Sequence, residues 1–211
     1  MLLAPNLAKL PWLRHGFGLR NSEYPEGITT LRQIHSRVVV DARGRAGDRI
    51  EDGDGLISCT PGLIVGIRTA DCVPILIADS RLRAVAAVHA GWRGTATQIV
   101  AETLHLMKET FGSRPGDLVA AVGPGIGACC YEVGPEVARQ FAPMCPELEH
   151  VSSKVRLDLP GLNARELRRQ GVSDVWEAAE CTFCMPDRYF SFRREKEAAG
   201  RMLSFAGTEP V

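Results

Sequence analysis

The sequence predicts a single-domain α/β protein of the α+β-like kind, in which helices flank a mixed β-sheet. The first observation is a series of short, continuous apolar segments at 63–69, 73–78, 84–89 and 118–122, typical of strands covered on both faces. The second is that 84–122 shows one strand–turn–helix–strand unit, whereas the other strands are joined by short connections. This arrangement favours a mixed sheet over a doubly wound parallel sheet.

The remaining elements are predicted from local signals. Residues 15–33 contain several Gly and Pro residues and are predicted to form a loop. Thr95 is a good N-cap for an amphipathic helix over 96–110, which Gly112 would end. Shorter elements complete the prediction, with strands at 36–41 and 175–178, an apolar segment at 56–59, and helices at 135–142 and 162–170.

The composition is that of an ordinary globular chain, and we expect residues 1–211 to form one catalytic domain. Lys plus Arg and Asp plus Glu number 25 each, and a net charge near zero argues against duplex nucleic acid or an anionic membrane as the partner. No apolar run approaches the roughly 20 residues of a membrane span, and residues 1–13 lack the basic start of a signal peptide. We therefore expect a cytoplasmic protein that acts on a small molecule; its oligomeric state is left open.

Three potential metal ligands lie at predicted strand ends, where α/β proteins collect their site residues. His89 ends a buried strand before a glycine turn, Cys72 lies between two apolar strands, and His35 precedes a strand. Two imidazoles and one thiolate suit Zn²⁺, and three protein ligands leave the fourth tetrahedral position for water or substrate. The alternative is a strand-end histidine, a core thiol and a surface histidine, and the scattered spacing does not decide between the two.

Other side chains are candidates for acid–base or anion chemistry. The segment Gly91-Trp92-Arg93-Gly94-Thr95 is a glycine turn that opens a helix, so backbone N–H groups and Arg93 could bind an anion; the alternative is a tight turn with a solvated arginine. Asp54 and Asp71 are candidate general bases, or hydrogen-bond partners of a ligand histidine. The alternative for both is ordinary turn acidity.

Seven cysteines, an odd number, predict reduced thiols. Cys129 and Cys130 are adjacent, which strains a disulfide. Cys181 and Cys184 form a C-x-x-C pair without a second pair at zinc-ribbon spacing. We therefore interpret Cys129 and Cys130 as packing thiols and assign the C-x-x-C pair no metal or redox role.

Taken together, several blocks resemble the YfiH-type family, which is also called the multicopper polyphenol oxidase or laccase-domain family. Its members include peptidoglycan-editing factors and purine nucleoside phosphorylases. The matching blocks span most of residues 15–205 and include Arg-Gln-Ile-His at 32–35 and Phe-Ser-Phe-Arg-Arg at 190–194. The most specific are Ala-Asp-Cys at 70–72 and His-Ala-Gly-Trp-Arg-Gly at 89–94.

The resemblance implies that His35, Cys72 and His89 are the metal ligands, with Zn²⁺ as the ion and Cu²⁺ as the alternative. It also implies phosphorolysis of adenosine, inosine and S-methyl-5′-thioadenosine, together with deamination of adenosine, so that purine nucleoside and phosphate are the expected substrates. In such an enzyme Asp71, Arg93 and Asp54 are the candidate catalytic residues.

Three alternative functions stay open at this point. They are a peptidoglycan-editing amidase acting on UDP-MurNAc-L-Ser, a copper-dependent polyphenol oxidase, and a non-catalytic module with structural zinc. The chain also departs from the family pattern at residues 20–31, which are short and lack the usual Gly-Gly-Val and Ser-x-Asn. If that segment covers the substrate, its loss bears on specificity and on activity, but not on the metal ligands.

Overall fold

Within the described part of the chain, the strands form one large sheet and two small ones. The computed structural model describes residues 1–208. Their strands are β1 (Leu13–Phe17), β2 (Val39–Asp41), β3 (Gly55–Ser58), β4 (Ile64–Thr69), β5 (Val73–Asp79), β6 (Val85–Ala90), β7 (Leu118–Val122), β8 (Glu132–Val133), β9 (Val155–Arg156), β10 (Asp174–Glu177) and β11 (Met202–Thr208). The helices are α1 (Trp92–Ala96), α2 (Ile99–Phe111), α3 (Pro135–Ala138), α4 (Leu159–Arg169) and α5 (Phe192–Glu195).

The large sheet has six strands in the order β10-β7-β5-β6-β3-β2. Its outer pairs, β10–β7 and β3–β2, are parallel, whereas the inner pairs are antiparallel. Every residue of β5 and β6 is buried, as expected of continuous apolar strands covered on both faces. The predicted fold class, a mixed sheet with helices, is therefore confirmed.

Helices cover one face of this sheet. The long helices α2 and α4 pack together and against β6 and β7. On α2 the buried side chains Ile99, Leu104 and Met107 recur at helical spacing and face the sheet. Gly112, at φ +77°, ends α2 in the left-handed conformation that favours glycine.

A second sheet, rather than helices, covers the opposite face. Its strands lie in the order β1-β11-β4 and are antiparallel. The apolar layer between the two sheets includes Phe17, Val65 and Ile67 on one side and Leu56 and Leu76 on the other. The molecule thus has three layers, and the chain crosses from one sheet to the other between β4 and β5, at Ala70–Cys72.

Two local predictions were wrong. Residues 15–17, predicted as the start of a loop, belong to the strand β1, because they pair with β11 at the far end of the chain, a contact that no local signal reveals. The helix predicted at 96–110 is broken at Gln98, whose φ is +62°, so α2 begins only at Ile99. Thr95 lies inside α1, and its hydroxyl accepts a hydrogen bond from Asn163 instead of capping a helix.

None of the helices within residues 1–208 combines the length and the apolar character needed to cross a membrane.

Candidate metal centre and active site

Strand pairing brings Cys72 and His89 to the same end of the large sheet. The antiparallel register of β5 and β6 places Val73 opposite Ala90 and Pro74 opposite His89. Cys72, immediately before β5, therefore lies beside the last residues of β6. His35, on the segment before β2, completes the group, and its ring lies edge-on to that of His89 with 4.9 Å between the centroids.

The carboxylate of Asp54, which precedes β3 and is fully buried, connects the two histidines. It accepts hydrogen bonds from the backbone N–H of His35 at 3.0 Å, the N–H and hydroxyl of Ser36 at 2.6 and 2.7 Å, and the Nδ1 of His89 at 2.8 Å. Because Nδ1 of His89 is occupied by Asp54, its Nε2 is the nitrogen left for a metal. A carboxylate that orients a ligand histidine in this way is a common feature of zinc sites.

The donor atoms of His35, Cys72 and His89 lie within 4.8 Å of one another. A tetrahedral zinc ion with ordinary bond lengths separates its N and S donors by about 3.3–3.8 Å, so the three side chains fit one ion. Gly91 leaves the space for this arrangement, because a Cβ at that position would lie 3.1 Å from the Cys72 sulfur and 3.3 Å from the His35 ring. The sequence prediction that these residues converge on one ion therefore fits the geometry.

The protonation states of Cys72 and His89 favour the binding of a cation. Burial alone would raise the pKa of Cys72, but hydrogen bonds with His35 and His89 lower it to about 6. Burial alone would lower the pKa of His89, but its hydrogen bonds with Asp54 and Cys72 raise it to about 9. At neutral pH Cys72 is thus a thiolate beside an imidazolium, and a metal that binds His89 displaces a proton.

The three donors open into a cavity of about 600 Å³. Among residues 1–208, five arginines line it, against one acidic residue, Asp71. Two of the five, Arg32 and Arg68, form ion pairs with Asp52 and Asp48, and the other three still leave the cavity with a positive charge that suits an anion. Aromatic side chains offer flat apolar surfaces beside the arginines. The arginines are Arg32, Arg49, Arg68, Arg193 and Arg201, and the aromatic residues are Trp92, Tyr131 and Phe192.

Asp71 lines this cavity and is buried. Both of its oxygens accept hydrogen bonds, one from the Thr182 hydroxyl at 2.6 Å and the other from the backbone N–H of Arg193 at 2.8 Å. The carboxylate therefore ties the segment that follows β10 to the metal end of the large sheet. A role of Asp71 as a general base stays a prediction.

Arg93, the predicted anion ligand, does not belong to the cavity lining. It is exposed, and its guanidinium stacks on Trp92 at 4.5 Å from the ring centroid. Within residues 1–208 it is not among the residues that line the cavity. Because Trp92 does line the cavity, Arg93 stands at the edge of the site.

Sequence reasoning missed the arginines at 32, 49, 68 and 201, and it missed Tyr131. These residues lie on five different segments of the chain, so only folding brings them together around one cavity. It also missed a group of four cysteines, Cys129, Cys130, Cys181 and Cys184, whose sulfurs lie within 4.8 Å of one another. The interpretation of Cys129 as a packing thiol is wrong, because its side chain is exposed, whereas Cys130 does pack against the core.

The amino-acid sequence is similar to those of several known enzymes. The chain is 40% identical over 199 residues to a purine nucleoside phosphorylase of Bacteroides thetaiotaomicron, covering 87% of this chain and 74% of that protein. It is 38% identical over 184 residues to a purine nucleoside phosphorylase of Deinococcus radiodurans, with 86% and 70% covered. It is also 36% identical over 195 residues to adenosine deaminase RL5 of an unknown prokaryotic organism, with 85% and 74% covered.

Solved structures show the same fold. The structure of YlmD from Geobacillus stearothermophilus matches with a TM-score of 0.81 and 31% identity, covering 87% of this chain and 74% of that one. YfiH from Bacillus licheniformis matches with a TM-score of 0.80 and 30% identity, with 86% and 74% covered. The family model described as multi-copper polyphenol oxidoreductase laccase matches residues 17–209. The chain therefore belongs to this laccase-like, YfiH-type family.

Proposed function

We propose that this protein is a metal-dependent purine nucleoside phosphorylase that also deaminates adenosine. One observation carries the proposal: the donors His35, Cys72 and His89 open into a cavity lined by five arginines and three aromatic side chains. Such a cavity can accept a phosphate and a flat heterocycle side by side. The names of the relatives, purine nucleoside phosphorylase and adenosine deaminase, support the same pair of reactions.

Zn²⁺ suits the donor set best. Three donors and an open position facing a cavity are the arrangement of catalytic zinc, whereas structural zinc has four protein ligands. When bound, Zn²⁺ supplies Lewis acidity at this end of the cavity. The chain prepares its ligands beforehand, since Asp54 orients His89 and the Cys72 thiol is ionised at neutral pH.

The arginines bind and orient the phosphate. In phosphorolysis a phosphate oxygen forms a bond to C1′ of the ribose, and the C1′–N9 bond breaks with its electron pair going to the purine. Arg193 and Arg201 are partly fixed for this task, because their guanidinium carbons stack 5.3 Å from the Tyr131 centroid and 5.9 Å from the Phe192 centroid. A planar guanidinium that is already positioned loses less entropy when it pairs with phosphate.

Tyr131 is suited to assist the departing purine. Burial is the main cause that raises its pKa, to about 12, so its hydroxyl is protonated at neutral pH. A protonated hydroxyl can donate a hydrogen bond to the purine nitrogen on which negative charge develops. In deamination a water oxygen instead forms a bond to C6, one proton of that water passes to the C6 amino group, and the C6–N bond breaks as ammonia leaves.

The test is an assay of purified, zinc-supplemented protein with adenosine, in the presence and absence of phosphate. We expect adenine and ribose 1-phosphate only when phosphate is present, and inosine in both cases. Cys72→Ala should abolish both reactions, whereas Cys59→Ser, which alters a thiol outside both metal-capable groups, should not. Absence of all three products from the zinc-supplemented wild type would refute the proposal.

Copper-dependent phenol oxidation is the second candidate, because the description of the family model names it. Within residues 1–208 the groups able to bind a metal are two imidazoles with one thiolate, and four thiolates. Neither group resembles the histidine-rich set that several coppers would need. Oxygen consumption by the copper-loaded protein with a phenol, in parallel with the adenosine assay and an assay of UDP-MurNAc-L-Ser, discriminates among the three activities.

A further inference from the structure

We propose that Cys129, Cys130, Cys181 and Cys184 bind a second ion, a structural Zn²⁺ that joins two loops beside the cavity. This site is separate from the three donors at the end of β5 and β6. Its four ligands are all cysteines, and each comes from a loop. The inference is independent of the proposed nucleoside chemistry.

The topology explains why these cysteines meet. Strands β7 and β10 are parallel neighbours, and their last residues, Val122 and Glu177, lie opposite each other. The segments that follow them therefore leave the large sheet at the same edge. They stay together afterwards, because the N–H of Thr182 donates to the carbonyl of Gly125 at 3.0 Å. One segment carries Cys129 and Cys130, and the other carries Cys181 and Cys184.

The sulfur positions match one tetrahedral ion. The Cys184 sulfur lies 3.6 Å from that of Cys129 and 3.3 Å from that of Cys130, and all four sulfurs lie within 4.8 Å of one another. Zn–S bonds of about 2.3 Å in a tetrahedron separate the sulfurs by about 3.8 Å. Four thiolates in this arrangement are typical of a closed zinc site.

One sulfur of the group accepts a hydrogen bond from the backbone. The N–H of Gly127 points at the Cys181 sulfur, with a nitrogen–sulfur distance of 3.3 Å. Backbone N–H groups directed at a sulfur stabilise its negative charge.

A disulfide explains the group less well than an ion does. A disulfide needs a sulfur–sulfur distance of about 2.05 Å and would join only two of the four cysteines. Cys184 lies at similar distances from Cys129 and Cys130, so no single pair is singled out. Because the four sulfurs also enclose space for one ion only, a multi-iron cluster does not fit between them.

The second ion would stabilise one wall of the cavity. Thr182, between two of the cysteines, donates its hydroxyl hydrogen bond to Asp71. The guanidinium of Arg194 donates to the carbonyls of Thr182 and Phe183 at 2.9 and 2.7 Å. On the other loop, Ile126 and Tyr131 line the cavity directly. The four cysteines thus join the two chain segments that form this wall.

The test is the zinc content of the full chain, expressed with zinc, purified under reducing conditions and dialysed against metal-free buffer. We expect two zinc ions per chain in the wild type and in Cys59→Ser, and one in Cys72→Ala, in Cys184→Ser and in Cys129→Ser. In the Cys72→Ala protein, Co²⁺ in place of zinc should give the intense charge-transfer bands of a four-thiolate site. Combining Cys72→Ala with Cys184→Ser should remove both ions.

Several outcomes would overturn the proposal. They are an unchanged zinc content in Cys184→Ser, a wild type whose single zinc disappears in Cys72→Ala, or iron in place of zinc at the remaining site. A disulfide within the group, detected by mass spectrometry of freshly purified, unreduced protein, would equally refute it. The Cys72→Ala measurements keep the proposal falsifiable even if the cysteine-to-serine variants do not fold.

Discussion

The two groups of potential metal ligands differ in the elements that carry them. His35, Cys72 and His89 lie at or beside the ends of buried strands, and the fully buried Asp54 joins the two histidines. The four cysteines lie on two loops, and two of them, Cys129 and Cys184, are exposed. The first group is therefore arranged by the core of the molecule, whereas the second depends on two loops remaining together.

The groups also differ in what they leave open. Three donors beside a cavity leave an ion free to meet a substrate, whereas four sulfurs surround an ion completely. In the two roles that we propose, ligand number and access to the cavity distinguish the chemical site from the structural one. Within residues 1–208 the lining of the arginine-rich cavity includes all three members of the first group and none of the four cysteines.

Substitution of Cys72 tests this contrast most strongly. We expect Cys72→Ala to lower kcat/KM for adenosine by about 10³-fold or more, since loss of one of three ligands removes the ion that the chemistry needs. Cys184→Ser should retain most of the activity while it lowers the melting temperature. Steady-state kinetics and thermal unfolding of both variants measure the two effects. Equal losses of activity in the two proteins would show that the two groups do not differ in their roles.

Substitution of Asp54 should have the next largest effect. Asp54→Asn keeps the side-chain shape but replaces one acceptor oxygen by a donor, so His89 and the 34–36 segment lose part of their support. We expect zinc affinity at the first site to fall about 10–100-fold, with no change in zinc bound by the cysteines. Competition with a chromogenic chelator measures this, and Glu149→Gln, at an exposed acid, is the control.

Substitution of Arg193 should have a smaller effect, which is confined to phosphate binding and leaves the metal in place. Arg193→Gln removes a charge while its backbone N–H can still bind Asp71. We expect KM for phosphate to rise about tenfold, the loss of one charge-assisted hydrogen bond, while the zinc content stays at the wild-type value. Arg43→Gln, at a surface arginine that stacks on Phe111, serves as the control. An unaltered phosphate KM would remove Arg193 from the anion site.

The smallest effect concerns the second sheet, which carries neither group. His15 is buried, its Nε2 accepts the N–H of Ala4, and its pKa is lowered, mainly by burial. The folded state therefore favours neutral His15, while the unfolded chain takes up a proton below about pH 6.5. Stability from this residue is present above that pH and is lost as the pH falls through it.

The effect of His15 is best measured on metal-free protein, because no metal then binds or dissociates as the pH changes. Denaturant unfolding between pH 5 and 7.5 should show a steeper loss of stability in the wild type than in His15→Gln. Parallel curves for the two proteins would show that burial of His15 contributes no pH dependence.

Much of the architecture could be predicted from the chain itself. The apolar segments that became β4, β5, β6 and β7 are continuous and bounded by turns, so local patterning is sufficient for them. The pairing of β11 with β1 and with β4 could not be predicted, because each pair joins residues that are far apart in the sequence. The break in the helix at Gln98 could not be predicted either. It accompanies a tertiary contact, in which the Thr95 hydroxyl accepts a hydrogen bond from Asn163 on α4.

For the sites, the sequence by itself determined which residue types are available and that three of them stand at strand ends. Only the tertiary structure decided that Asp54 would orient His89, that five arginines would share the cavity, and that two cysteine pairs would meet. The physical reason is that strand register and parallel neighbours place chain-distant loops at one edge of a sheet. A ligand set depends on distances of a few ångströms, which the order of residues along the chain does not contain.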